Sequence, residues 1–191
     1  MNAAFFQLEK PHFFDSFCIF LKTNKQLNSM SEIEWVHKKF EEFSLDEFYR
    51  LAALRESVFV VEQECAYQEL DYKDFEATHL TGYIEGQPVA YCRIYNPEDK
   101  KIRVGRVLVH KDKRGKQVAY ELMHKAHDII SQNYEKIRTI VISAQKYLQP
   151  FYHILGYKVK GAEYLEDGIP HLGMNKQINK QLNRPHSQLK N

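Results

Sequence analysis

The 191-residue sequence predicts a single α/β domain built on a mixed, largely antiparallel central sheet flanked by helices. Three observations lead there. The length is that of one domain with a real core. Strand-like runs follow one another across short turns, as antiparallel neighbours do. Two further segments carry apolar residues at helical spacing.

The elements can be justified in order. "IEWVHKKF", from Ile33, alternates like a short strand. Ser44 then opens a helix with Glu47 three residues on, a capping box that satisfies two free backbone N–H groups. Phe48, Leu51, Ala52 and Leu54 continue at helical spacing toward Val58. After the polar segment "QECAYQELDYKDFEA" come two strands, "HLTGYI" and "PVAYCRIY", with "EGQ" between them as a hairpin turn. "NPEDKK" turns the chain into a third strand, Ile102 to His110. A long helix is expected from about Gly115 to Asn133, burying Val118, Leu122, Ala126, Ile129 and Ile130. The strand "IRTIVISA" follows, then a short helix in "YLQPFYHIL" that Gly156 would end. "YKVKGAEYL" and "HLGMNK" form the last strands across the "EDG" turn.

The two ends differ from this body. Residues 1–29 hold six of the twelve phenylalanines and read as a tail or upstream extension, with the domain spanning 30–176 and opening at Met30. Residues 177–191 are polar and read as a frayed tail. No apolar run in 1–29 is long enough to cross a bilayer, and Glu9 and Lys10 interrupt what could otherwise be a secretory signal. No membrane partner is expected.

Composition narrows the function. A hydrophobic fraction of 43% and a charged fraction of 27% are ordinary for a globular protein. The net charge of +2 provides no global field for nucleic acid, so no nucleic-acid partner is expected. Cys18, Cys65 and Cys92 are odd in number and widely spaced, which argues against a disulfide framework and for a reducing, cytoplasmic setting. C-x-x-C and H-E-x-x-H are absent, and His124 and His127, though on one helix face, lack a third ligand at metal spacing. They read as surface residues, and no metal is expected.

The informative stretch is "RVGRVLVHKDKRGKQVAYELM". It joins a strand to a helix through Lys111, Lys113, Arg114 and Lys116. A helix N-terminus presents free N–H groups and the positive end of its dipole, and basic side chains beside it add charge-assisted hydrogen bonds to phosphate. Gly115 permits close approach of a ligand to the backbone. Taken alone, such a turn also reads as a solvated basic loop.

In context the sequence resembles the GCN5-related N-acetyltransferase (GNAT) superfamily. That family's acetyl-CoA loop carries Arg or Gln, two residues, Gly, any residue, then Gly or Ala; here it falls on Arg114, Gly115, Lys116, Gln117, Val118 and Ala119. Gln117 stands where the central glycine usually lies, and with ordinary helical dihedrals it could still donate its N–H while its side chain points away. The resemblance is closest to the ElaA-like branch, through "LRESVFVVEQECAYQELD", "AQKYLQPFYHILGYK" and "EDGIPHLGM". It covers roughly residues 33–175.

The resemblance implies a GNAT-type fold, with acetyl-CoA as acyl donor and direct transfer to a small-molecule amine or peptide acceptor in a ternary complex. It implies a pantetheine arm bonded to the backbone at Val107 and Val109, with an N–H near Val107 facing the thioester carbonyl. Tyr152, in "FYxxxG", would protonate the leaving thiolate; Tyr147 is the fallback. No cysteine nucleophile is required, and Cys65 and Cys92 read as apolar filling.

The general base stays open among Glu62, Glu69, Asp71 and His110. Arg55 could pair with a carboxylate or meet substrate, and His171 carries no assigned role. The acidic segment from Glu62 to Asp74 could draw a cationic amine. Two alternatives are a non-catalytic CoA-binding module, favoured by Gln117, and an acyl-homoserine lactone synthase-like enzyme, suggested by "VFVVEQ".

Overall fold

The computed structural model describes residues 32–178 except position 99. The tail expected over 1–29 lies outside the described residues, as does all but the start of that over 177–191. Four strands come first in the sheet: β1 (Glu34–Lys39), β2 (Thr78–Ile84), β3 (Gln87–Glu98) and β4 (Lys101–Val109). Each pairs antiparallel with the next. The β2–β3 hairpin turns on Glu85 and Gly86, at φ of 51° and 73°. Two successive positive φ values match the right-handed twist of the strands they join.

Helix α1 (Leu45–Glu56) bridges β1 and β2. Its cap is the expected box: Ser44 Oγ accepts from the Glu47 N–H, and the Glu47 carboxylate accepts from the Ser44 N–H at 2.8 Å. A π-helical segment, Ser57–Glu62, extends it. Leu51, Leu54 and Val58 pack on Tyr91 and Leu108, covering one face of the sheet.

Helix α2 (Val118–Asn133) covers the other face and carries the chain to β5 (Thr139–Gln145), which lies parallel to β4. Val118, Leu122, Met123, Ala126, Ile129 and Ile130 of α2 meet Ile94, Ile102, Val104, Ile140 and Ile142 in the main core. Each aliphatic side chain fully buried there contributes about 1.5–3 kcal/mol. On β5 the alternation is strict, with Ile140, Ile142 and Ala144 buried and their neighbours half-buried.

Helix α3 (Gln149–Ile154) follows, then β6 (Lys158–Val159), β7 (Tyr164–Glu166) and β8 (Ile169–Gln177). The strand order is β1-β2-β3-β4-β5-β8-β6, with β7 also paired to β8. This is the mixed, largely antiparallel sheet that the sequence predicts. Among the described residues no helix is long and apolar enough to cross a membrane.

Two local expectations change. The long helix begins at Val118 rather than Gly115, because Gly115 and Gln117 both take positive φ, 74° and 61°, and cannot sit in a right-handed turn. His127 is half-buried rather than free at the surface: Nδ1 accepts from Lys176 Nζ at 3.0 Å, and Nε2 bonds Tyr157 Oη at 2.9 Å.

Candidate active site

The site begins where the sheet parts. β4 and β5 pair from Lys101–Thr139 to Arg103–Val141 and no further. Beyond that point Val104–Val107 and Ser143–Gln145 line opposite sides of a cavity of about 550 Å³. A bulge in β4 lies here: Tyr91 opposes Leu108 and Arg93 opposes Gly105, so Arg106 and Val107 face Cys92 alone. Arg106 takes φ 53° to make room. A bulge leaves its extra residue off the ladder and bends the strand. The backbone at Val107 therefore lies off the ladder with both β3 and β5.

At the far end of β4 lies the basic turn. Gly115, Lys116 and Gln117 are exposed, and a Cβ built on Gly115 would meet nothing within 4 Å. Gln117 precedes α2 without a side-chain cap bond, so the first N–H groups of the helix point outward unsatisfied by a cap. They border a small hollow of about 80 Å³ lined by Val109, Arg114, Gly115, Gln117, Val118 and Ala119, with Tyr120 beside them. The expectation that Gln117 keeps ordinary helical dihedrals is corrected. It occupies the left-handed conformation that a glycine takes at no steric cost. Backbone N–H groups beside an uncapped dipole suit a diphosphate.

Arg114 points elsewhere than its neighbours. Its fork binds Glu62 at 2.6 and 2.9 Å, and its Nε donates to the Val109 carbonyl at 2.9 Å. It ties the basic turn to the π-helical segment. On the opposite arm, Gln145 of β5 donates to Gln63 at 3.0 Å. The segment after α1 thus straddles the parted strands.

Tyr152 lines the cavity, although only 5% of its surface is exposed. Its ring packs edge-on against Phe151 and Tyr157, at 4.9 and 5.7 Å. Its hydroxyl has no hydrogen-bond partner among the described residues. Burial, with Cys92 and Tyr147 adding to it, pushes the phenol pKa well above its ordinary value. The ring therefore keeps its proton at neutral pH. Tyr147 lines the same cavity from a more exposed position. Val107 is partly buried against the core and Val109 is buried.

The acidic segment does not form an open field. Arg55, fully buried, binds Glu69 at 3.0 Å and Asp74 at 2.8 Å. Arg93 binds Asp71 at 2.6 and 2.8 Å and Asp74 at 3.1 Å, while Arg106 binds Glu69 at 2.8 Å. Burial alone would raise the Asp71 pKa, but the Arg93 fork and the Arg106 charge outweigh it and hold it far below the usual carboxylate range. Three guanidinium groups thus face three carboxylates, and the charge that was expected to draw a cation is neutralised internally.

Among the expected bases, Glu62 is paired with Arg114, Glu69 and Asp71 belong to this network, and His110 lies outside the cavity lining. Cys92 is buried, and burial pushes its thiol pKa up; Cys65 lines the cavity and donates weakly to the Asp167 carbonyl. His171 lines the cavity too, a placement that the motif alone left without a role. Among the described residues no group of three or more His, Cys, Asp or Glu side chains converges as metal ligands.

The geometry has close parallels in known proteins. The model of the family described as "Acetyltransferase (GNAT) domain" matches residues 41–178. A UPF0039 protein of Schizosaccharomyces pombe is 40% identical over 146 residues, 76% of this chain and 97% of the relative. The crystal structure of Escherichia coli ElaA superimposes with a TM-score of 0.72 at 35% identity, covering 76% of this chain and 99% of that one. An acyl-CoA N-acyltransferase structure from Pseudomonas aeruginosa gives the same TM-score, identity and coverage. A parted β4–β5 pair, an uncapped α2 terminus and matches of this extent lead to one conclusion: the chain belongs to the GNAT acyltransferase family, in the branch that includes ElaA.

Proposed function

We propose that this chain transfers an acetyl group from acetyl-CoA directly to an amine, within a ternary complex. The observation that carries the reading is the cavity between the parted strands, which brings the off-ladder backbone at Val107 and the partnerless hydroxyl of Tyr152 to one space. When bound, acetyl-CoA would supply an activated thioester.

The residues divide the work. Backbone N–H groups of Gly115, Lys116, Gln117, Val118 and Ala119 hold the diphosphate, and the Lys116 ammonium adds charge. Arg114 holds the turn in place through Glu62 and Val109. The backbone at Val107 and Val109 takes the pantetheine arm, and the Val107 N–H faces the carbonyl oxygen as charge develops there. Tyr152 gives its proton to the departing sulfur. The acceptor is a small-molecule amine or a peptide.

Gln117 does not favour a CoA-binding module without turnover, since the loop keeps a glycine-like shape despite the substitution. The cavity lining is rich in Arg, Tyr, Gln and acidic side chains, which suits a short acyl group better than the long chain of a lactone synthase.

Thiol release and product mass, followed with acetyl-CoA and a panel of primary amines and peptides, test the reading. Turnover with at least one acceptor is expected. Tight CoA binding without thiol release from any of them would overturn it.

A further inference from the structure

We propose that His171 is the general base that deprotonates the acceptor amine, an inference that rests on the acyl-transfer reading above. The ring is on β8, directly opposite Gln145, the last residue of β5, and it lines the cavity that Tyr152 also lines. Its Nδ1 lies 2.8 Å from the Ile169 carbonyl. A carbonyl can only accept, so Nδ1 carries the hydrogen and the neutral ring keeps its lone pair on Nε2. That nitrogen has no hydrogen-bond partner among the described residues. The tautomer is set by one nitrogen, and the other is left free to work as a base.

The orientation is held from a second side. Tyr164 of β7 stacks on the imidazole, with centroids 6.2 Å apart and planes 27° apart. The Tyr164 hydroxyl bonds Ser143 Oγ at 2.5 Å, and Ser143 in turn donates to Glu166. With Ser143 giving its hydrogen to the carboxylate, Tyr164 is the donor to Ser143, and the stacked ring is tied to β5.

Two competing carboxylates in the cavity are occupied. Asp71 is neutralised by Arg93 and Arg106, and Glu166 takes the Ser143 hydrogen. Tyr164 stacks on the ring, and the other titratable groups that share the cavity lining with it include Asp167 in the β7–β8 turn, Tyr147 beyond β5, Cys65, and the cations Lys73, Arg93, Arg103 and Arg106.

The protons balance. An ammonium that becomes an amide sheds two: His171 Nε2 takes the first and passes it to water. The N–C bond then forms as the C–S bond breaks, and the second proton replaces the one that Tyr152 gives to sulfur.

The test compares wild type with His171→Gln, using acetyl-CoA and the primary amine that the wild type acetylates fastest, and using hydroxylamine, which is already unprotonated near neutral pH. With the amine, kcat/KM is expected to fall on the order of 100-fold or more, and the acid limb of the pH profile to disappear. Transfer to hydroxylamine and CoA affinity are expected to be spared. Equal losses with both acceptors would reveal a structural role and overturn the assignment. So would an acid limb that persists in His171→Gln, or one that Asp167→Asn removes instead. If the wild type transfers to no amine at all, the acyl-transfer reading falls and this inference falls with it.

Discussion

At the scale of single residues, two side chains hold conformations or environments that their neighbours must sustain. Gln117 sits at φ 61°, where an L residue costs about 1–2 kcal/mol. Gln117→Gly should therefore raise stability by up to about 1 kcal/mol, part of the gain being offset by the greater freedom of glycine in the unfolded chain. A thermal melt reads the change, and a lowered Tm would show that the Gln side chain contributes more than its strain. Tyr152 presents a hydroxyl without a partner inside an apolar ring cluster. Tyr152→Phe removes one proton and one oxygen but no protein hydrogen bond, so the fold should be unaffected. Turnover should drop by about 100-fold or more if the phenol acts as the acid. Equal kinetics in Tyr152→Phe would remove it from the chemistry.

At the scale of elements, the α2 terminus and the π-helical segment after α1 work as a pair. α1 has its own capping box, whereas α2 has none, and that contrast leaves the second terminus open to an anion. Arg114 secures the approach by joining the turn to Glu62. Replacing Arg114 and Lys116 together with Ala should weaken CoA binding by roughly tenfold or more, since the Lys116 contact to a phosphate is worth about 1.5–3 kcal/mol and loss of Arg114 releases the turn from Glu62 and Val109. The loss should shrink at high salt. Calorimetric titration measures both, and an unchanged affinity would refute the phosphate assignment at this turn.

At the scale of the whole molecule, buried charge joins parts of the chain that are remote in sequence. Arg55 of α1 connects to Glu69 and Asp74, and through them to Arg93 of β3 and Arg106 of β4. Removing one partner strands the others without water, so Arg55→Met should cost about 3–5 kcal/mol. A denaturant midpoint that barely moved would refute this account of the network. The pH dependence of folding has a second source. Burial, with the Lys176 and His124 charges, lowers the His127 pKa to about 3. Below the unfolded histidine value of about 6.5 the unfolded chain takes a proton that the folded one refuses. Stability present above that value is therefore lost progressively as pH falls toward 3, by at most about 1.4 kcal/mol per pH unit. His127→Gln should flatten this window in urea titrations at several pH values. An unchanged slope would place the titration elsewhere.

How far the sequence reaches can be followed through the same residues. Periodicity and capping chemistry act within a few positions, which is why the type and order of the strands and helices, and the box at Ser44 and Glu47, were legible from the residues alone. The basic turn and the tyrosine helix were legible as well, since each is a short motif. What could not be read were pairings across long separations. Arg114 finds Glu62 52 positions away, and Arg106 finds Glu69 37 positions away. An acidic run therefore looks open in the sequence and is neutral in the fold. The parting of β4 from β5 and the half-burial of His127 against Tyr157 and Lys176 have the same origin. Local propensity selects the elements, while the free energy of bringing distant groups out of water together decides which side chains stay free to do chemistry.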